Sequence, residues 1–198
     1  MNQNTQATEQ LVHAGKWLNF KLLFYKIKEK QKVWEYTEKP QGYRGGVRVI
    51  PIVKYMNKSN SIIIVANFRP PIRKYCLEFP GGLIDKEGTQ LENGIRELKE
   101  ETGYTATLSQ CHHNQIITKV DPWKSNEYCY NFIVDIDGDS ELNQHQQQNL
   151  DFDENIKVYE LSMGKNLVDE LLQLQKEKDY EISGQVWYFA LGQQFTNI

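Results

Sequence analysis

The sequence predicts an α/β fold of the α+β kind, an α/β/α sandwich around a mixed central sheet with a small N-terminal β arm. Three observations predict it. Short β-branched and aromatic segments crowd the first third of the chain, one amphipathic helical pattern interrupts them, and two more helical patterns follow a last strand.

The elements follow in order. Residues 18–27 and 32–37 read as a hairpin, then 47–55 and 61–68 as strands, separated by polar or Gly/Asn/Ser turns. A short apolar strand ends at Glu78-Phe79-Pro80-Gly81-Gly82, where proline and two glycines break it and let backbone approach a ligand closely. Residues 90–102 form the first helix. At 100° per residue, Leu91, Ile95, Leu98 and Thr102 fall within about 60° of one another, a buried stripe. Strands follow at 106–110, 115–120 and 128–136, then a Gln-rich stretch, 144–149, that reads as a mobile loop. A strand at 156–161 and helices at 165–178 and 183–193 close the chain. The organisation expected is an arm over residues 1–44 and a main domain over 45–198, with no internal repeat.

At 198 residues the chain is long enough to bury a sizeable core. A net charge of −3 argues against a nucleic-acid platform, which carries basic patches. Cys76, Cys111 and Cys129 are odd in number, lack metal-ligand spacing and read as reduced structural thiols. The opening MNQNTQATEQ lacks the apolar core of a signal peptide, and no apolar run approaches a membrane span. The expected location is the cytoplasm, with the nucleus as the alternative.

The first helix carries Glu97, Glu100 and Glu101 on the face beside its apolar stripe. Glu97 and Glu101 form an i,i+4 like-charge pair, which costs roughly 0.2–0.5 kcal/mol, and two carboxylates sit in the last turn, where the helix dipole disfavours anions. Helix stability does not select that arrangement. A solvated acidic face is the plain reading, with Arg96 relieving Glu100. Beside a glycine turn, however, carboxylates one helical turn apart suit Mg²⁺, a hard ion held by a few carboxylates together with substrate phosphates.

The segment from Gly82 to Tyr104 resembles the Nudix box: glycine, five residues, glutamate, seven residues, then Arg-Glu-aliphatic-x-Glu-Glu-x-Gly-aliphatic. Gly82, Arg96, Glu97, Leu98, Glu100, Glu101 and Gly103 match, and Tyr104 takes the last, usually aliphatic, place. Gly88 stands where the first glutamate belongs, with Glu87 beside it. In the family that glutamate orders the loop and pairs with the arginine, so either Glu87 substitutes or the site is weakened. Further stretches are similar to the ADP-ribose pyrophosphatase (ADP-sugar diphosphatase) branch: Gly15-Lys16-Trp17, Val33-Trp34-Glu35, Val49-Ile50-Pro51, Phe68-Arg69-Pro70-Pro71, the run from Tyr75 to Asp85 that includes Leu83, Asp121-Pro122, and the acidic loop from Asp151 to Glu154.

The resemblance implies the Nudix fold and Mg²⁺-dependent attack of water on a diphosphate bridge, with Mn²⁺ as a substitute ion. Glu97 and Glu101 would be the principal metal ligands, joined by Glu100 and the Gly81 carbonyl, with Arg96 among the catalytic groups. The general base would be Glu154, with Asp151 and Asp153 as alternatives. Trp17 and Trp34 would clamp an adenine, with Glu35 accepting from its amino group, and Arg69 would meet a phosphate, with Leu83 and Asp121 also lining the substrate. In the family the clamp draws on two subunits, which implies a homodimer with exchanged arms. Lys39 and Gly45-Gly46 depart from relatives that use an arginine and an acidic-Gly pair. Trp123 would border the pocket, and His112 and His113 read as surface residues.

The expected activity is hydrolysis of ADP-ribose or a related ADP-sugar to AMP and a sugar phosphate. The same chemistry on another nucleoside diphosphate derivative, and a catalytically impaired nucleotide sensor, are the alternatives.

Overall fold

A computed structural model describes residues 7–112, 116–152 and 154–195. Along the chain run β1 (Thr8–Ala14), β2 (Asn19–Ile27), β3 (Lys30–Glu38), β4 (Gly46–Lys54), β5 (Ser61–Arg69), β6 (Lys74–Glu78), α1 (Gln90–Thr102), β7 (Ile116–Lys119), β8 (Tyr128–Asp137), β9 (Ile156–Ser162), α2 (Leu167–Lys178), β10 (Glu181–Ile182) and α3 (Gly184–Phe195). They divide into two compact units. One runs up to Gly46 and takes in Ile117–Cys129; the other comprises Val47–Ile116 and the chain from Tyr130 on.

In the first unit β1, β2 and β3 form an antiparallel sheet in that order. Lys28 and Glu29, both at positive φ (46° and 65°), make the two-residue turn that joins Ile27 to Lys30, a geometry matching the twist of the strands. The strand β1 is absent from the sequence reading because its residues carry no buried face: every position in it is exposed. No residue of β2 or β3 is fully buried either. The segment from Ile117 to Cys129 is fastened to β3 by backbone and side-chain bonds. Thr37 N–H donates to the Lys124 carbonyl (2.8 Å), Trp34 Nε1 to the Trp123 carbonyl (2.7 Å) and Asn126 Nδ2 to Glu38 Oε1 (2.9 Å).

The second unit is built on the sheet order β10-β6-β5-β4-β8, with β9 pairing β5. The β5 pairs with β4, β6 and β9 are antiparallel, whereas β10 lies parallel to β6, so the sheet is mixed. Ser61 to Ala66 of β5 are all buried, as expected of a strand covered on both faces. Its alternation splits the core in two. Ile63 joins Val47, Val49, Leu98, Phe132 and Val134 on one side, with Leu91 and Ile95 of α1 packed against them. Ile62, Ile64 and Ala66 meet Leu77, Leu167, Leu171, Val186 and Ala190 on the other, under α2 and α3. The outcome is the α/β/α sandwich the sequence predicts.

Two local expectations are corrected. Residues 108–110 form a 3-10 turn rather than a strand, because Thr107 and Gln110 close it locally: Thr107 N–H donates to Gln110 Oε1 (2.7 Å). The stretch 144–149 is anchored rather than loose. Gln144 Nε2 donates to the Gly138 carbonyl (3.0 Å), Gln148 Nε2 to the carbonyls of Glu101 (2.6 Å) and Ile156 (3.0 Å), and Asn149 N–H to the Glu100 carbonyl (2.8 Å). Among the described residues no helix is long and apolar enough to cross a membrane.

Candidate active site

The helix α1 begins with a capping box. Thr89 Oγ1 accepts from Glu92 N–H (3.2 Å) while Glu92 Oε2 accepts from Thr89 N–H (2.7 Å), so two otherwise orphaned donors are satisfied reciprocally. Gly88 precedes it at φ +106°, where a side chain is strained, and a Cβ there would stand 3.0 Å from Glu92 Oε2. Glycine at 88 is therefore what this turn requires.

The glycine turn after β6 is held to β4 by two backbone bonds. Val47 N–H donates to the Gly82 carbonyl (2.8 Å) and Val49 N–H to that of Pro80 (2.9 Å). The Gly81 carbonyl between them takes no part in this pairing, and Gly81 N–H donates to Glu101 Oε2 (3.0 Å). Gly82 lies so close to α1 that a Cβ on it would fall 2.6 Å from Glu97 Oε1. Leu83 follows, its side chain partly exposed.

Glu97 and Glu101 are 9% and 3% exposed, more buried than the Leu91 and Ile95 that the stripe places beside them. Burial pushes the Glu101 carboxyl up to about 8, and the charges of Glu97 and Glu154 add to the effect, against the opposing bond from Gly81. Glu97 is also raised by burial, with Arg96 working against the shift. Arg96 Nη2 reaches Glu97 Oε1 (2.7 Å) and Asp85 Oδ1 (3.1 Å), and Nη1 bonds Glu100 Oε2. Lys86 Nζ stands 3.6 Å from Glu100 Oε1. Arg96 is thus held by Asp85, and no bond to Glu87 joins this set. Of the two alternatives left by Gly88, substitution by Glu87 or a weakened site, the first is corrected: the loop carboxylate on Arg96 is Asp85, eleven residues away in sequence.

Arg69, at the end of β5, forks onto Glu78 at the end of the neighbouring β6: Nε to Oε1 is 2.9 Å and Nη2 to Oε2 is 2.5 Å. Across that hairpin Arg69 pairs with Lys74 and Val65 with Glu78, so the Arg69 side chain reaches back along the strands to Glu78, an arrangement invisible in sequence. Glu154 sits in a turn before β9 in which Glu154 N–H donates to the Asp151 carbonyl (3.0 Å) and Asp151 N–H to Glu154 Oε2 (3.0 Å). Glu154 is half-buried and Asp151 exposed, while Asp153 lies outside the described residues.

In the first unit Trp17 occupies the turn between β1 and β2, closed by a bond from Gly15 N–H to the Leu18 carbonyl (3.0 Å), and is 63% exposed. Trp34 lies on β3 opposite Leu23, 45% exposed, with Glu35 next to it and also exposed. Trp123 is exposed too, in a turn whose Asp121 bonds Lys124 (2.8 Å) and accepts from Ser125 N–H (2.9 Å) through its carbonyl. Lys39 pairs with Glu127 (3.1 Å). In the second unit His112 is exposed and bonds Asp135 (3.2 Å), whereas His113 lies outside the described residues. All three cysteines are buried thiols, and burial pushes Cys76 up to about 12, which leaves it unreactive.

Comparison with known proteins bears on this geometry. The NUDIX domain family matches residues 45–178. The chain belongs to the Nudix family. Among its relatives is the ADP-sugar pyrophosphatase of Mus musculus, 31% identical over 196 residues, which span 96% of this chain and 87% of that one. The ADP-ribose pyrophosphatase of Saccharomyces cerevisiae is 30% identical over 188 residues, 89% of this chain and 77% of that one. A Nudix hydrolase of Schizosaccharomyces pombe is 32% identical over 181 residues, 90% and 86% of the two chains. The protein is a Nudix hydrolase.

Within the Nudix box, Tyr104 takes the aliphatic place without losing burial: it is 5% exposed and its hydroxyl donates to Glu160 Oε2 (2.9 Å). Nudix hydrolases use a divalent cation, and the donors here are all oxygen, as a hard ion requires. The desolvated Glu101, to which among the described residues the Gly81 backbone N–H is the one hydrogen-bond donor, is the group such an ion would compensate most. Among the described residues no three acidic, histidine or cysteine side chains converge as a ready-made cage, since Arg96 draws Glu97 and Glu100 toward itself.

Proposed function

We propose that this Nudix hydrolase cleaves the diphosphate of ADP-ribose or a related ADP-sugar, giving AMP and a sugar phosphate, with Mg²⁺ held by Glu97, Glu101, Glu100 and the Gly81 carbonyl. The observation that carries this reading is the desolvated Glu97/Glu101 pair against the Gly81-Gly82 turn, in a chain whose pyrophosphatase relatives match it almost end to end. A substrate diphosphate approaching these carboxylates is repelled unless cation charge stands between them. Mg²⁺ would supply that charge and a more acidic bound water.

The protein's own groups do the rest. Arg96, fixed by Asp85, orients Glu97 and Glu100. Arg69 has Nε and Nη2 engaged by Glu78, which leaves Nη1 for a phosphate oxygen. Glu154, on the turn it shares with Asp151, would accept the proton of the attacking water. Trp17 and Trp34 would hold the adenine, with Glu35 toward its amino group and Leu83 and Asp121 bordering the sugar side. Along the hairpin, Trp34 stands four residue pairs from Asn19, roughly 13 Å, and Trp17 lies in the turn before Asn19. That spacing favours a clamp made between two copies, a homodimer with exchanged arms, and the unburied β1–β3 sheet suits the same assembly.

The test is AMP release from ADP-ribose by the purified protein with and without Mg²⁺, beside a Glu97→Gln, Glu101→Gln double variant. Metal-dependent turnover lost in the variant is expected. Tight binding of ADP-ribose without turnover in Mg²⁺ or Mn²⁺ would overturn the hydrolytic reading of this site.

A further inference from the structure

Toward the C-terminal end of α1, the carbonyls of Leu98, Lys99, Glu100 and Glu101 each have a different donor. Leu98 O accepts from Thr102 Oγ1 (2.5 Å), Lys99 O from Gly103 N–H (2.9 Å), Glu100 O from Asn149 N–H (2.8 Å) and Glu101 O from Gln148 Nε2 (2.6 Å). The first two donors belong to the helix and its own cap. The other two come from a loop nearly fifty residues on, and they serve the two carbonyls whose residues carry Glu100 and Glu101. The loop also lies against the cap: a Cβ on Gly103 would fall 2.5 Å from Gln147 N.

Gln148 does more than cap. A carboxamide has two N–H donors, and the second reaches the Ile156 carbonyl (3.0 Å), the first residue of β9 and two residues after Glu154. One side chain therefore joins the last turn of α1 to the point where the Asp151–Glu154 turn enters the sheet. Without it, the chain after Asn149 is bound at its start to Glu100 O and at β9 to β5, and among the described residues no other hydrogen bond ties the start of β9 back to the helix.

We propose that Gln148 is a positioning residue for hydrolysis, holding the carboxylates of Glu101 and Glu154 at the separation the reaction needs. The proposal rests on the reading of Glu154 as the general base. Gln148 touches neither substrate nor the reacting atoms; it acts through the two backbones it bridges. Misplacement of a catalytic group by about 1 Å is enough to cost on the order of 100-fold in rate.

The experiment is a double-variant cycle read as kcat and KM for AMP release from ADP-ribose in saturating Mg²⁺, well below each variant's melting temperature, using Gln148→Leu, Glu154→Gln and the pair. Gln148→Leu keeps bulk and removes both donors. It is expected to lower kcat about 10- to 100-fold with KM within about twofold. The pair is expected to be no slower than Glu154→Gln alone, because a misplaced base that is already disabled costs nothing more. Gln148→Lys keeps a donor at a helix C-terminus, where a cation is favoured, and is expected to recover most of the rate. Full activity of Gln148→Leu, or losses that multiply in the pair, would overturn the proposal while leaving Glu154 as base. Full activity of Glu154→Gln would instead overturn the base assignment, and the positioning role with it.

Discussion

The buried carboxylates set the pH behaviour of this chain. Glu101 ionises in the folded protein near 8 rather than at its ordinary 4.5, and Glu97 is shifted the same way, both chiefly by burial. Folding thus favours the protonated form. In metal-free protein the stability associated with Glu101 is full below about pH 4.5 and is lost as pH rises through about 8, an effect on the order of 3–5 kcal/mol. Thermal melts in a chelator from pH 5 to 9 should show this fall, and Glu101→Gln should flatten it. Added Mg²⁺ should stabilise the wild type at pH 8, by about 2.7 kcal/mol at one hundred times its dissociation constant, and the variant much less. A second prediction concerns the box position that departs from the family. Restoring glutamate with Gly88→Glu should destabilise by about 1–3 kcal/mol in chemical denaturation, since φ +106° strains any side chain and Glu92 already orders the turn. Asp85→Asn should lower kcat about tenfold or more by releasing one side of Arg96, with little change in melting temperature. The glutamates were legible in the sequence as a cluster at helical spacing. Asp85 was not, because its link to Arg96 depends on a loop path that no periodicity records.

At the level of elements, α1 was read over the same residues that form it, since its apolar stripe is a local signal, and the structure adds the caps, Thr89 with Glu92 at one end and Gly103 at the other. Thr89→Ala should cost about 1 kcal/mol of stability through the lost cap, and Leu98→Ala about 2–5 kcal/mol because Leu98 is wholly buried beneath the helix. Urea denaturation separates the two by their size. The strand expected at 106–110 and the loose loop expected at 144–149 went astray for opposite reasons. In the first, the bond from Thr107 N–H to the Gln110 side chain closes a local turn in place of a strand. In the second, glutamines that look like low-complexity filler act as long-reach donors to carbonyls of α1 and β9.

For the whole molecule, the arm holds most of the exposed tryptophan surface and the second unit holds the acidic helix. If the adenine clamp forms between copies, Trp34→Ala should raise KM for ADP-ribose about tenfold or more while kcat changes little, and sedimentation of the wild type should give a dimer. A monomer with unimpaired KM would remove both the clamp and the exchanged arm. The segment from Ile117 to Cys129 shows how tertiary pairing regroups the chain: far from the arm in sequence, it is bonded to β3 through Thr37, Trp34 and Glu38.

The sequence by itself determined the sandwich, the extent of α1, the carboxylates at 97, 100 and 101, and the family, because period and motif spacing are short-range properties. Only the tertiary structure decided which of those carboxylates are desolvated, that Asp85 holds Arg96, that Glu78 occupies two donors of Arg69, and that Gln148 joins the acidic helix to the loop of Glu154. Burial and bonds across dozens of residues arise from the packing of whole elements, and no stretch of sequence contains them.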